Sequence, residues 1–119
     1  MKRQIGAIGE ALAVQYLRDA EYDILAQNWH CPYGEVDIVA CYDQTIWVFC
    51  EVKTRRGTTT QQALTAITDR KRQRLIATAH AYLSAHMLEQ VSWRIDAIAV
   101  VLHHNQPPSI EHVEDALDW

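Results

Sequence analysis

The run SWRIDAIAVVL, residues 92–102, constrains the fold more than any other part of the chain. It is rich in β-branched residues and nearly continuous in hydrophobicity. A strand of that kind is buried on both faces, because a half-solvated strand would alternate with polar residues. The rest of the chain must therefore supply a layer for each side of it. From about Gln4 to Ala20, apolar residues recur at helical spacing at Ile5, Ile8, Leu12, Ala13 and Tyr16, with Leu17 beside them. YDILAQNW, GEVDIVACY and IWVFCEVK then read as three strands, the last two joined by a turn at Asp43-Gln44-Thr45. GTTT breaks the pattern, and a threonine there can cap a helix. That long helix is predicted from about Gln61 to His86, with Leu64, Ile67, Leu75, Ala79 and Tyr82 on its inner stripe.

The order helix, three strands, helix, strand allows an antiparallel meander and then a helical crossover. That crossover lays the fourth strand parallel to the third. The expected fold class is α/β, more narrowly an α+β mixed sheet flanked by helices. At 119 residues the chain reads as a single domain, 1–119. Residues 103–109, HHNQPPS, are expected as a linker to a short acidic tail, so that 103–119 lies outside the core.

No apolar run approaches the ~18 residues of a membrane span, so no membrane partner is expected. The N-terminal segment starts basic but carries Glu10 among its apolar residues, which suits an amphipathic helix better than a signal peptide. Cys31, Cys41 and Cys50 are an odd number without a CxxC pair. That argues against a disulfide framework or a structural zinc, and points to a reducing cytoplasm. Net charge is −4, which by itself argues against a nucleic-acid partner. The distribution argues the other way. Lys53, Arg55, Arg56, Arg70, Lys71, Arg72 and Arg74 stand against one acid, Asp69, in a single window. Such a patch suits local phosphate binding, the plainer alternative being a solvated helix face. Lys71 falls on the apolar stripe of its helix. It either snorkels outward, the reading preferred here, or reaches toward the acids of the strands.

Inside the strands, Glu51 and Lys53 share one face, as do Glu35 and Asp37. A three-residue turn at 43–45 would pair Tyr42 with Ile46 and set Asp37 opposite Glu51, and Glu35 opposite Lys53. A two-residue turn would leave Asp37 isolated among apolar neighbours. We take the first register because it gathers the charges at one end of the hairpin. Two adjacent carboxylates repel unless a cation lies between them, and aspartate and glutamate oxygens suit Mg²⁺ or Mn²⁺. A lysine beside such an ion is equipment for phosphodiester hydrolysis. The alternative from the residues alone is an internally paired cross-strand charge ladder.

These segments, GAIGEALAVQYL (6–17), GEVDIVA (34–40), VFCEVKTRR (48–56), DRKRQRL (69–75) and RIDAIAV (94–100), resemble in order the YraN family of small bacterial proteins. That family is predicted to comprise nucleases similar to archaeal Holliday-junction resolvases, within the PD-(D/E)xK superfamily. The resemblance implies a restriction-endonuclease-like αβββαβ core. It also implies a metal-dependent endonuclease acting on DNA, with branched structures among the candidate substrates. It puts the metal acids on Asp37 and Glu51, the catalytic lysine on Lys53 and a further catalytic glutamate on Glu10, with Glu35 beside them. Arg55 and Arg56 would continue toward the nucleic-acid backbone, joined by Arg70, Lys71, Arg72 and Arg74. A homodimer would serve an enzyme that cuts two strands. Two other functions compete with this one: a nucleic-acid-binding module without catalysis, and a protein-interaction domain. Asp96 beside Arg94 is read as structural.

Overall fold

The computed structural model describes residues 2–116. Helix α1 (Lys2–Asp19) leads into β1 (Tyr22–Cys31), β2 (Gly34–Tyr42) and β3 (Ile46–Arg56). Two helices come next, α2 (Thr60–Leu64) and α3 (Asp69–Ala85), then β4 (Ser92–His103) and β5 (Gln106–Val113). The five strands form one sheet in the order β1-β2-β3-β4-β5. All neighbours are antiparallel except β3 and β4, which run parallel as the crossover requires. The fold is thus a mixed sheet with helices packed on it.

Strand β4 behaves as its composition demands. Ile95 through Val101 are all buried. Helix α1 covers one face with Ala13, Val14 and Leu17, which pack on Ile38, Ala40, Val48, Ile98 and Val100. Helix α3 covers the other with Leu75, Ala79, Tyr82 and Leu83, against Val39, Phe49 and Ile95. Helix α2 seats Ala63 on Ala99 and Val101 of the same strand.

Two expectations are corrected. The long helix is two helices, because a second cap interrupts it. The Thr59 side chain accepts from the Gln62 N–H to start α2, and the Thr68 side chain accepts from the Lys71 N–H to start α3. Between them Ile67 is drawn inward onto Ala97 and Ala116. Second, residues 103–109 are not a linker. The chain turns at His104-Asn105, with Asn105 at φ 56°, and returns as β5 along β4. Strand β5 was hidden by Pro107 and Pro108. Proline lacks the N–H of an interior strand and is tolerated on an edge, where it also discourages further pairing. The end of the expected tail, residues 117–119, lies outside the described residues.

Candidate functional site

The β2–β3 turn spans Asp43 to Thr45 and pairs Tyr42 with Ile46, the register expected from the clustering of charge. Asp43 and Gln44 both take positive φ (53° and 56°), and the Thr45 N–H closes the turn on the Tyr42 carbonyl at 3.1 Å. The ladder runs from that turn to Ile38–Cys50 and stops. One step further Asp37 would face Glu51, but there the strands part. The Asp37 carboxylate instead accepts the Val52 backbone N–H at 2.8 Å. On the other side, β1 and β2 pair Gln27 with Ile38 and Trp29 with Val36, and skip Asn28–Asp37. The sheet therefore opens on both sides of Asp37.

Helix α1 reaches into this opening. Gly9 is buried against Thr54 of β3, where a Cβ would overlap the threonine side chain. That close approach brings the next residue, Glu10, to the edge of Asp37. Glu10, Asp37, Glu51 and Lys53 then line one cleft of about 790 Å³, with Arg55 and Arg56 along its continuation. Lys53 Nζ lies 3.5 Å from Glu51 Oε1, with both side chains largely buried.

The carboxylates are mutually unfavourable as they stand. Burial, then the charge of Asp37, pushes Glu51 up to about 7, with Lys53 pulling the other way. Glu10 is likewise pushed up to about 7, by burial first and Asp37 next. The Asn28 side chain, through a hydrogen bond, favours the charged form of Glu10. Two glutamates that retain protons near neutrality beside an aspartate are short of positive charge. Among the described residues no three His, Cys, Asp or Glu side chains converge as a preformed metal cage. Mg²⁺ does not need one, since it keeps several waters and is held by one or two carboxylates. The donor set of Asp37 and Glu51 fits a hydrated hard divalent cation. It does not fit a closed zinc site, which takes sulfur and imidazole ligands.

The remaining sequence candidates divide. Lys71 is exposed on the first turn of α3 and is not among the residues that line the cleft. The Lys53 ammonium beside it, then burial, holds its pKa below the usual lysine value, while Glu51 acts in the opposite sense. Its ammonium end lies near Lys53, at the margin of the acid cluster. Arg70 and Arg74 are exposed on α3, and Arg72 is ion-paired with Asp69; none of the three lines the cleft. Glu35 is not opposite Lys53, because β2 has left β3 by then. It is exposed, pairs with His30 of β1, and acts on Glu10 only by its charge.

Sequence reasoning missed Gly9, Asn28 and the Val52 N–H. Gly9 and Asn28 act through contacts between elements distant in sequence, which no local pattern encodes. Asn28 left no distinguishing trace, since β1 also carries Asp23, Gln27 and His30.

Comparison with known proteins finds relatives over nearly the whole chain. Residues 9–100 match the model of an uncharacterised protein family, UPF0102. A UPF0102 protein of Herpetosiphon aurantiacus is 43% identical over 117 residues, covering 95% of this chain and 93% of that one. One from Mycobacterium avium is 42% identical over 112 residues, covering 93% and 88%. One from Geotalea daltonii is 35% identical over 116 residues, covering 98% and 91%.

Proposed function

The chain belongs to the uncharacterised protein family UPF0102, and from its carboxylate–lysine cluster we propose that it is a Mg²⁺- or Mn²⁺-dependent endonuclease hydrolysing phosphodiester bonds in DNA. The observation that carries this reading is the convergence of Glu10, Asp37, Glu51 and Lys53 on one cleft flanked by Arg55 and Arg56. Asp37 and Glu51 would hold the ion. When bound, it would lower the pKa of a water and neutralise charge on the phosphate. Lys53, already held against Glu51, is placed to contact that water or a non-bridging phosphate oxygen. Glu10, which retains a proton near neutrality, is suited to move one at the reacting oxygen. Lys71 adds a second cation beside Lys53. Arg55 and Arg56 would take backbone phosphates, which position DNA without reading its sequence. No helix-turn-helix or zinc-finger element is evident in the sequence, so the selectivity proposed is for structure, with branched DNA as the first substrate. Two copies would supply the two sites that a cut in both strands requires.

The test is cleavage of branched and linear DNA with Mg²⁺ or Mn²⁺, by wild type and by Asp37→Asn, Glu51→Gln and Lys53→Met. The reading expects metal-dependent cleavage by wild type alone. Salt-sensitive binding without cleavage in any metal would replace it with the non-catalytic binding module.

A further inference from the structure

We propose that Asn28 is a positioning residue of this site, holding the Glu10 carboxylate at the opening beside Asp37. The inference rests on the nuclease reading for its purpose, and on the geometry of β1 for its substance. Three observations meet at this residue. Asn28 has φ 52°, the left-handed region that a strand residue does not otherwise visit. Asparagine tolerates it better than most residues, but it remains costly inside a strand. Second, the strain falls where the β1–β2 ladder skips a pair, and the partner skipped is Asp37. Flanking pairs 27–38 and 29–36 keep one register, so the gap is a local turning-out and not a slip. Third, the Asn28 side chain hydrogen-bonds to Glu10, which arrives from α1 on a different layer.

A strand that merely needed to end would not carry a strained residue in mid-course with pairing restored on both sides. The left-handed turn redirects one carboxamide, and its N–H donors reach the Glu10 carboxylate. Without them Glu10 is left facing Asp37, a group that repels it when both are charged. Glu10 would then turn toward solvent, away from the opening beside Asp37. Residues that orient ligands and their neighbours typically change metal affinity 10–100-fold when removed.

The experiment separates side chain from backbone. Asn28→Gly keeps the left-handed conformation free of strain and removes the amide. Asn28→Asp keeps tolerance for that conformation and replaces the amide with a charge. Each is combined with Glu10→Gln in a double-mutant cycle. Thermal midpoints are read at pH 8, first without metal and then in a Mn²⁺ titration. In the metal-free cycle, Asn28→Gly is expected to lower the midpoint more in wild type than in the Glu10→Gln background, the relief of backbone strain being common to both. In the titration, Asn28→Gly is expected to weaken Mn²⁺ binding about tenfold, and Asn28→Asp more. Independent effects of the two substitutions in the metal-free cycle would overturn the proposal. So would unchanged Mn²⁺ affinity in Asn28→Gly when wild type binds. If wild type itself fails to respond to Mn²⁺ while the metal-free cycle shows coupling, the nuclease reading falls and the Asn28–Glu10 contact stands.

Discussion

Glu51 shows most directly how a single residue can be set against the stability of its own fold. Burial and Asp37 raise its pKa from 4.5 to about 7, and Glu10 behaves alike. A carboxyl whose folded pKa lies above its unfolded value binds more protons in the native state. The contribution of these glutamates to stability is then most favourable below pH 4.5, falls as pH rises toward 7, and levels off above that. Glu51→Gln removes the penalty while keeping the shape. Each tenfold in proton affinity is about 1.4 kcal/mol. For a domain of this size, metal-free Glu51→Gln is expected to melt at least roughly 3 °C above wild type at pH 8. At pH 4.5 the two should melt together, and Mg²⁺ should raise only the wild type. Thermal unfolding at both pH values checks this, and a less stable variant at pH 8 would sink it. Asp37 splits the same effect in two. Asp37→Asn keeps an acceptor for the Val52 N–H, whereas Asp37→Ala orphans it. The alanine variant should be the less stable of the two by about 1–3 kcal/mol in urea unfolding. At this scale the sequence was readable where alternation decides. Asp37, Glu51 and Lys53 come from period-two counting and one turn length. Asn28 and Gly9 did not, because their meaning lies in what another element brings against them.

Between elements, two contacts decide whether the site is assembled. The first is α1 on β3 at Gly9. Alanine at that position gains about 1 kcal/mol of helix propensity. It also overlaps Thr54, and overpacking of that kind costs about 1–3 kcal/mol. The steric effect wins, so Gly9→Ala should destabilise and should displace Glu10 from Asp37. Gly6, on the same helix, meets nothing within 4 Å. Gly6→Ala is the matched control and should stabilise. Chemical denaturation of the two variants reads the difference directly. The second contact bolts β5 to the sheet. Asp96 is fully buried and every oxygen is used. Oδ1 accepts from Arg94 Nε and from the Asp115 N–H, both at 2.9 Å. Oδ2 accepts from Arg94 at 3.2 Å and meets His112 Nε2 at 2.6 Å. His112 in turn meets the Tyr16 hydroxyl of α1 at 3.1 Å. Despite the burial, these bonds hold the Asp96 carboxyl below its ordinary value. Its stabilisation is therefore present above the unfolded pKa and lost as pH falls through the folded one, opposite in sign to the glutamates. Asp96→Ala leaves the half-buried Arg94 with the Tyr22 hydroxyl and the more distant Glu114 in place of its main partner, and should cost about 3–5 kcal/mol. Urea unfolding of that variant measures it. Asp96 and Arg94 were legible as structural from their adjacency on one strand face. The strand that completes their network was not, since β5 is half polar and carries two prolines near its start.

Over the whole molecule, the net charge of −4 conceals what the fold gathers at one end of the sheet. Lys53, Arg55 and Arg56 leave β3 there, and Lys71 arrives from α3. Composition could not reveal this, because the sum over the chain has no direction. The same end holds Glu10, Asp37 and Glu51, so cations and anions compete for an approaching phosphate. Without metal the acids repel it at close range. A bound metal, as the proposed function requires, would turn the cluster from repulsive to attractive. On the proposed function this yields an inverted mutational pattern. Asp37→Asn/Glu51→Gln should abolish cleavage yet bind branched DNA more tightly than wild type in EDTA, because two anionic groups have been neutralised and no phosphate contact removed. Arg55→Ala/Arg56→Ala should weaken binding with or without metal. It should also flatten the dependence of log K on log salt by about 1.8 for duplex DNA, roughly 0.9 for each lost contact. Fluorescence anisotropy across a salt series, with EDTA and with Ca²⁺ in place of Mg²⁺, reads both variants against wild type. If neutralising the acids leaves EDTA affinity unchanged or lower, DNA does not enter the cleft. The arginines would then be serving a surface elsewhere, and the carboxylates would need a different account.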